Sequence, residues 1–185
     1  MHKHFRNAAI TVGAVGGTLL PTIGVAAPEQ QAAAFMDIYT SHCIKYLHDF
    51  DGLRSQLKKT ATQLPAEKAA MFLQGSPGAA WMVPSKQGQF ILVVHNDKNL
   101  CALYAKTVPA LAAQDMFEKV VSAAPAPFRS EKKRSTSTQG TDGTRRTVAY
   151  EWSTDSSQRK PLFALTTTTS TKSVAQGVAT AAIGH

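Results

Sequence analysis

Phe90-Ile-Leu-Val-Val-His-Asn-Asp-Lys-Asn-Leu-Cys-Ala-Leu-Tyr-Ala-Lys106 is the stretch on which the fold turns. Phe90 to His95 is a compact apolar run rich in β-branched residues, Asn96 to Asn99 has turn composition, and Leu100 to Lys106 runs back. This predicts a β-hairpin and so antiparallel pairing. Side chains alternate along a strand, so Cys101, Leu103 and Ala105 share one face while Leu100, Ala102 and Tyr104 share the other.

Toward the N-terminus the period changes from two to between three and four. Phe35, Ile38, Tyr39, His42, Cys43, Tyr46 and Leu47 make one apolar stripe, which predicts a helix over residues 29–49. Asp49-Phe50-Asp51-Gly52 interrupts it, and Leu53, Leu57 and Leu64 predict a second helix to about Gln63. Pro65 starts a short third helix through Met71 and Leu73 that Gly75 ends, and Gly75-Ser-Pro-Gly78 is a turn before Trp81. On the other side of the hairpin, Val108 to Ala124 reads as a helix with Pro109 in its first turn. Its inward residues are Leu111, Phe117, Val120 and Val121, and Pro125 and Pro127 end it. Beyond Arg129 the chain becomes rich in Ser, Thr and charge, with a turn at Gln139 to Gly143. Val148, Tyr150 and Trp152 alternate with polar neighbours, as do Phe163, Leu165 and Thr167 in a following strand. The run Thr166 to Thr169 is expected on a solvent-facing edge. Residues 173–185 are expected to be loosely ordered. Helices, a hairpin, a helix and then strands imply an α+β fold. N-terminal helices pack on an antiparallel sheet of about four to six strands, with one further helix between the strand groups.

Residues 1–26 have the pattern of a secretory signal. His2, Lys3, His4 and Arg6 form a positive start, Ala8 to Val25 carry no charge, and small Gly24 and Ala26 precede a cut before Ala27. The uncharged stretch of 18 residues approaches a membrane span. Gly13, Gly16, Gly17 and Pro21 interrupt it, which favours cleavage. A single domain over 27–185 follows, with a periplasmic location, or a secreted one where the host has no outer membrane. Removing Lys3 and Arg6 lowers the formal charge from +8 to +6.

In an oxidising compartment the two cysteines of a chain most often pair. Cys43 and Cys101 lie 58 positions apart, so their bridge closes a long loop and requires the Cys101 face of the hairpin to lie under the first helix. The competing reading is a metal site drawing on Cys43, Cys101, His42, His48 and His95, but neither C-x-x-C nor H-x-x-x-H spacing supports it. We therefore expect no metal and no cofactor.

Motifs for the common catalytic chemistries are missing. G-x-S-x-G, the phosphate loop and H-E-x-x-H do not occur. Ser55-Gln-Leu-Lys58 and Ser130-Glu-Lys-Lys133 match S-x-x-K without the companion motifs of acyl-enzyme chemistry. Asp49/Asp51 and Asp115/Glu118 are carboxylate pairs, read as a solvated turn and a surface helix face. An enzyme would need residues converging from distant segments, for instance His42, His95 and Trp81.

Charge is the more specific signal. Between Arg129 and Lys160 stand eight cations and four acids, whereas residues 27–128 hold nine cations and eight acids. Lys132, Lys133 and Arg134 on one side of a turn and Arg145 and Arg146 on the other are expected side by side on a hairpin. Such a patch suits an acidic protein, an anionic lipid or an anionic glycan, and it also suits a solvated hairpin whose charges discourage aggregation. Export disfavours nucleic acid.

Phe72-Leu-Gln-Gly-Ser-Pro-Gly-Ala-Ala-Trp81, Cys101-Ala-Leu-Tyr-Ala105 and Ala123-Ala-Pro-Ala-Pro-Phe128 resemble a group of small exported proteobacterial proteins. The resemblance spans most of residues 27–185 and implies an envelope location and a cysteine on a strand, with no reaction attached. The expectation is a periplasmic, non-catalytic interaction protein, an immunity-type or envelope-assembly partner of another protein. The alternatives are a binder of anionic envelope lipid or glycan through residues 129–160, and an enzyme.

Overall fold

The computed structural model describes residues 27–184. The proposed signal at 1–26 lies outside the described residues. Helix α1 (Pro28–Ile38) continues without a break into a π-helical turn (Tyr39–Ile44), and α2 (Phe50–Thr60) follows. The chain then forms β1 (Thr62–Gln63), α3 (Ala66–Leu73), β2 (Gly78–Val83), β3 (Phe90–His95) and β4 (Leu100–Ala105). Helix α4 (Ala110–Ser122) leads to β5 (Arg129–Gly140), β6 (Gly143–Ser153), β7 (Lys160–Thr168) and β8 (Gly177–Gly184). All eight strands join one antiparallel sheet in the order β1-β2-β3-β4-β8-β7-β6-β5.

The class is α+β as expected, but the sheet has eight strands where four to six were expected. The difference is β1, β2 and β8. The first is two residues long and carries no pattern. In β2 the buried positions are Ala80, Trp81 and Val83, which does not alternate, because α3 covers its outer side.

The largest correction is β8. The segment expected to be loose forms a central strand between β4 and β7, pairing with both along its length. Gly177, Ala179, Ala181 and Ile183 alternate inward, but their small side chains leave too weak an apolar period to read. Small residues are what the position requires. A Cβ on Gly177 would stand 2.4 Å from Val108 Cγ1. β7 consequently has a neighbour on each side, so Thr166–Thr168 are interior to the sheet, and Thr167 is buried.

Helices α1, α2 and α4 cover one face of the sheet, here the first face. Phe35, Tyr39, Cys43 and Leu47, spaced by four, are buried against Phe90, Leu92, Leu103, Ala179 and Ala181. The Tyr39 hydroxyl donates to the Thr180 carbonyl at 2.8 Å, and burial pushes the phenol well up. The phenol is therefore held as a donor. Asp49 caps α2, its Oδ1 accepting from the Gly52 amide at 2.8 Å, and Asp51 pairs with Arg54. The carboxylate pair read as a solvated turn is thus the start of a helix. In α4, Phe117 and Val121 face inward as expected, but Leu111 is exposed and Ala113 takes the inward position. The reason is register: Ala113, Phe117 and Val121 follow the four-residue row that meets the sheet.

The second face is covered only locally. Ala69 of α3 packs on Ala80, Val93 and Ala102, flanked by Phe72, Ile91 and Tyr104. Among the described residues no helix is long and apolar enough to cross a membrane.

Cys43 and Cys101 are bonded, with Cα atoms 5.4 Å apart, and both are fully buried. The bridge joins the π-helical turn to β4, and the Cys101 face lies beneath the first helix, as the pairing required. Both thiols are thereby consumed, which removes the metal alternative built on them. Closing a loop of 58 residues limits the unfolded chain by about 4 kcal/mol in the chain-entropy description. The double variant Cys43→Ala/Cys101→Ala is expected to lose stability on that order in urea unfolding. A loss well under about 1 kcal/mol would show that the unfolded chain is already restricted without the bridge.

Candidate functional site

The five cations singled out above sit on the β5–β6 hairpin. Its strands are joined at Gly140 and Gly143, and Gly143 has φ +132°, a backbone state that side chains other than glycine rarely adopt. The pairing register then decides which cations meet. Lys132 stands opposite Tyr150, Arg134 opposite Ala149, Arg145 opposite Thr138 and Arg146 opposite Ser137, with a bulge between Lys132 and Arg134. Alternation places Lys132 and Arg146 on the first face, and Arg134 and Arg145 on the second. Along the hairpin, Arg134 and Arg145 are offset by four residues, about 13 Å. The expected side-by-side cluster is therefore split between two faces and along the strands. The cause is the length of the arms between each cluster and the tip.

Lys132 is committed internally. Its Nζ donates to Glu118 Oε2 on α4 and lies 5.4 Å from the centre of the Tyr150 ring. The same Glu118 oxygen accepts from the Tyr150 hydroxyl at 2.7 Å, and Gln114 Nε2 donates to the other oxygen at 2.9 Å. Burial pushes the Glu118 carboxyl up, but the hydrogen bonds from Lys132, Gln114 and Tyr150 outweigh it and hold the group below its ordinary range. The same contact raises Lys132. Glu118 was expected to be a surface charge; it is the fastening point of α4 on the hairpin. Nearby, Trp152 Nε1 and Ser130 Oγ both donate to the Val121 carbonyl, at 2.6 and 2.8 Å, near the end of the same helix.

Three of the other seven cations of the basic segment are also paired. Lys133 meets Glu131 at 3.1 Å, Lys160 meets Glu151 at 2.9 Å, and Arg129 pairs with Asp155. Among the described residues, Arg134, Arg145, Arg146 and Arg159 stand beyond ion-pair distance of any carboxylate. Arg134 and Arg145 project from the second face. They share it with Thr136, Thr138, Thr147, Thr166 and Thr168, a patch of hydroxyls whose margin at Thr166 and Thr168 faces Met71 and Phe72 of α3. A shallow hollow of about 600 Å³ at the hairpin tip is lined by Arg145, Thr138, Thr168, Asp142 and Lys172. Lys172 and Asp142 pair across it at 2.7 Å.

His42, His95 and Trp81 are not brought together. Trp81 is in the core, and His42 Nδ1 lies 2.9 Å from the Ile38 carbonyl on its own helix. His95 ends β3 and is buried; burial lowers its pKa, and Lys98 lowers it further against the opposing pull of Asp97. It borders a polar cleft of about 330 Å³ with Asp51, Arg54, Lys98 and Arg159. Arg54 crosses this cleft to donate to the His95 carbonyl at 2.8 Å. Among the described residues no three His, Cys, Asp or Glu side chains gather as a metal-ligand set.

One surface escaped the sequence reading: the groove beside α3, where Met71 and Met82 are exposed. Its signal was faint, because methionines on a short helix and an unrecognised strand look like ordinary core. No family model, curated protein or solved structure matches this chain.

Glu118 provides a pH signature. A carboxyl depressed in the folded state contributes stability that is present above its unfolded pKa of about 4.3 and lost as pH falls through the lower folded value. Glu118→Gln is expected to unfold more easily than the parent at about pH 7, with the gap closing toward about pH 3 in urea titrations. A gap that stays constant across that range would remove the carboxylate from the account.

Proposed function

We propose that the protein is a non-catalytic protein of the cell envelope that acts by binding another protein, which presents an acidic surface to the second face of the β5–β6 hairpin. One observation carries the reading. Among the described residues Arg134 and Arg145 have no carboxylate partner, while Lys132, Lys133, Arg129 and Lys160 around them do. A cation whose charge is neutralised within the fold adds little to recruitment; one left facing solvent steers an oppositely charged surface and fixes its register. The threonine hydroxyls between the two arginines add donors and acceptors on the same plane. Such a surface suits an immunity-type or assembly partner. The envelope location rests on the export pattern of residues 1–26, with which a buried disulfide is compatible.

The test is a photo-crosslinking residue at Thr136, between the two arginines on their face, in the full chain produced in its host. One protein is expected to be captured reproducibly and identified by mass spectrometry. Arg134→Glu/Arg145→Glu should cut the yield about tenfold or more, because like charges are then opposed. An unchanged yield in the double variant sinks the reading. So does capture only of lipid or glycan, which would transfer the surface to an anionic envelope component.

A further inference from the structure

The exposed apolar side chains of this protein are not scattered. Met71, Met82, Leu111, Leu162 and Val174 are its large exposed hydrophobic residues among those described, and Met71, Met82 and Val174 line one groove on the second face. Exposed methionines are unusual on a surface with no task, and their flexible thioethers adapt to varied apolar ligands.

The groove floor is a single cross-strand row. Met82 pairs with Ile91, Ile91 with Tyr104, Tyr104 with Val178, and Val178 with Thr166. Four strands at about 4.8 Å spacing make an apolar track of about 14 Å from Met82 to Val178, which turns polar at Thr166. Met71 and Phe72 of α3 form one wall, and Val174 and Ala175 of the β7–β8 connection form the other. Tyr104 holds the helix in place, its hydroxyl donating to the Phe72 carbonyl at 3.3 Å and its ring edge-on to Phe72 at 5.1 Å. The space is about 380 Å³ over the apolar end and about 320 Å³ over the adjoining end that Thr166, Thr168 and Arg145 border. These are volumes typical of small-molecule sites.

Charge around the groove has one sign. Lys68 and Lys106 line the first space and Arg145 lines the second, while among the described residues no Asp or Glu lines either. Lys106 reaches over toward the Ser173 carbonyl at 3.4 Å, and Ser173 borders the second space with Arg145. Of the three cations, Lys106, through its reach toward Ser173, and Arg145 flank the polar end of the track, while Lys68 lies along the apolar space.

We propose that this groove binds one medium-chain fatty-acid anion, its alkyl chain along the Met82–Ile91–Tyr104–Val178 row and its carboxylate between Lys106 and Arg145. An extended chain of about a dozen carbons matches the track, and a carboxylate is the smallest anionic head that the one-signed rim selects. The site shares Arg145 with the protein-docking surface proposed above, but its apolar track and Lys106 lie outside that surface and stand on separate observations.

Protein purified from the envelope and labelled at methionine methyl carbons reports directly, because the chain has only five methionines. Dodecanoate, added below its micelle concentration, is expected to shift Met71 and Met82 and leave buried Met36 unmoved. From decanoate to dodecanoate the affinity should rise about tenfold, as burial of two further methylenes requires. Dodecyltrimethylammonium should bind at least about tenfold more weakly. Met71→Asp or Met82→Asp, both at exposed positions, should abolish binding with melting unchanged. Lys106→Glu should remove the preference for the anion. Three results would overturn the proposal: no shift at Met71 and Met82, equal binding of the cationic surfactant, or undiminished binding in both aspartate variants. Capture at Thr136 is expected to survive Met71→Asp, and dodecanoate binding to survive Arg134→Glu, so either idea can fail without the other.

Discussion

The first helix must lie close against the middle of the sheet, and much else in the molecule follows from that contact. Tyr39 and Cys43, one turn apart on a π-helical segment, are fastened to adjacent strands: the hydroxyl to the Thr180 carbonyl of β8, the sulfur to Cys101 of β4. Two attachments so close together draw the helix down over β8 and β4, where Leu103 is the one large side chain between small ones. The small ones are Ala179 and Ala181 of β8 and Ala105 of β4, while the bulk sits to either side in Phe90, Leu92, Phe117 and Phe163. The π-helical turn, which widens the helix by one residue, belongs to the same contact. The core is thin at its centre and thick at its flanks because the helix is tied down there.

This arrangement explains which parts could be read in advance. The β3–β4 hairpin, the helical stripe and the Cys43–Cys101 bond were legible because each is announced by large side chains at a clear period or by a rare residue type. β8 was illegible for the opposite reason. Its alternation is between alanine and threonine or valine, too slight for a period to emerge, although the strand lies in the middle of the sheet. β2 was hidden by burial on both faces, and Leu111 was misassigned because spacing of three and four along α4 does not say which row meets the sheet.

The candidate site shows a similar division. That the segment from Arg129 to Lys160 is basic could be counted, and its turn could be placed. Which cations remain available could not, since Glu118 lies on α4 and reaches Lys132 only when the helix is packed on the hairpin. Cross-strand register then separates Arg134 from Arg146 by putting them on opposite faces. A local excess of charge is a property of sequence, whereas an unsatisfied charge is a property of the fold.

The twelve residues of β5 form the free margin of the sheet, and nearly every side chain on them is exposed. Unpaired backbone donors and acceptors along such a margin invite another strand. Here the bulge between Lys132 and Arg134 breaks the spacing that a visiting strand would need, and consecutive charged residues surround it. The irregularity thus guards the molecule against joining copies of itself edge to edge at high local concentration. A partner of the kind proposed would be left the flat side of the hairpin, where recognition depends on side chains and can discriminate.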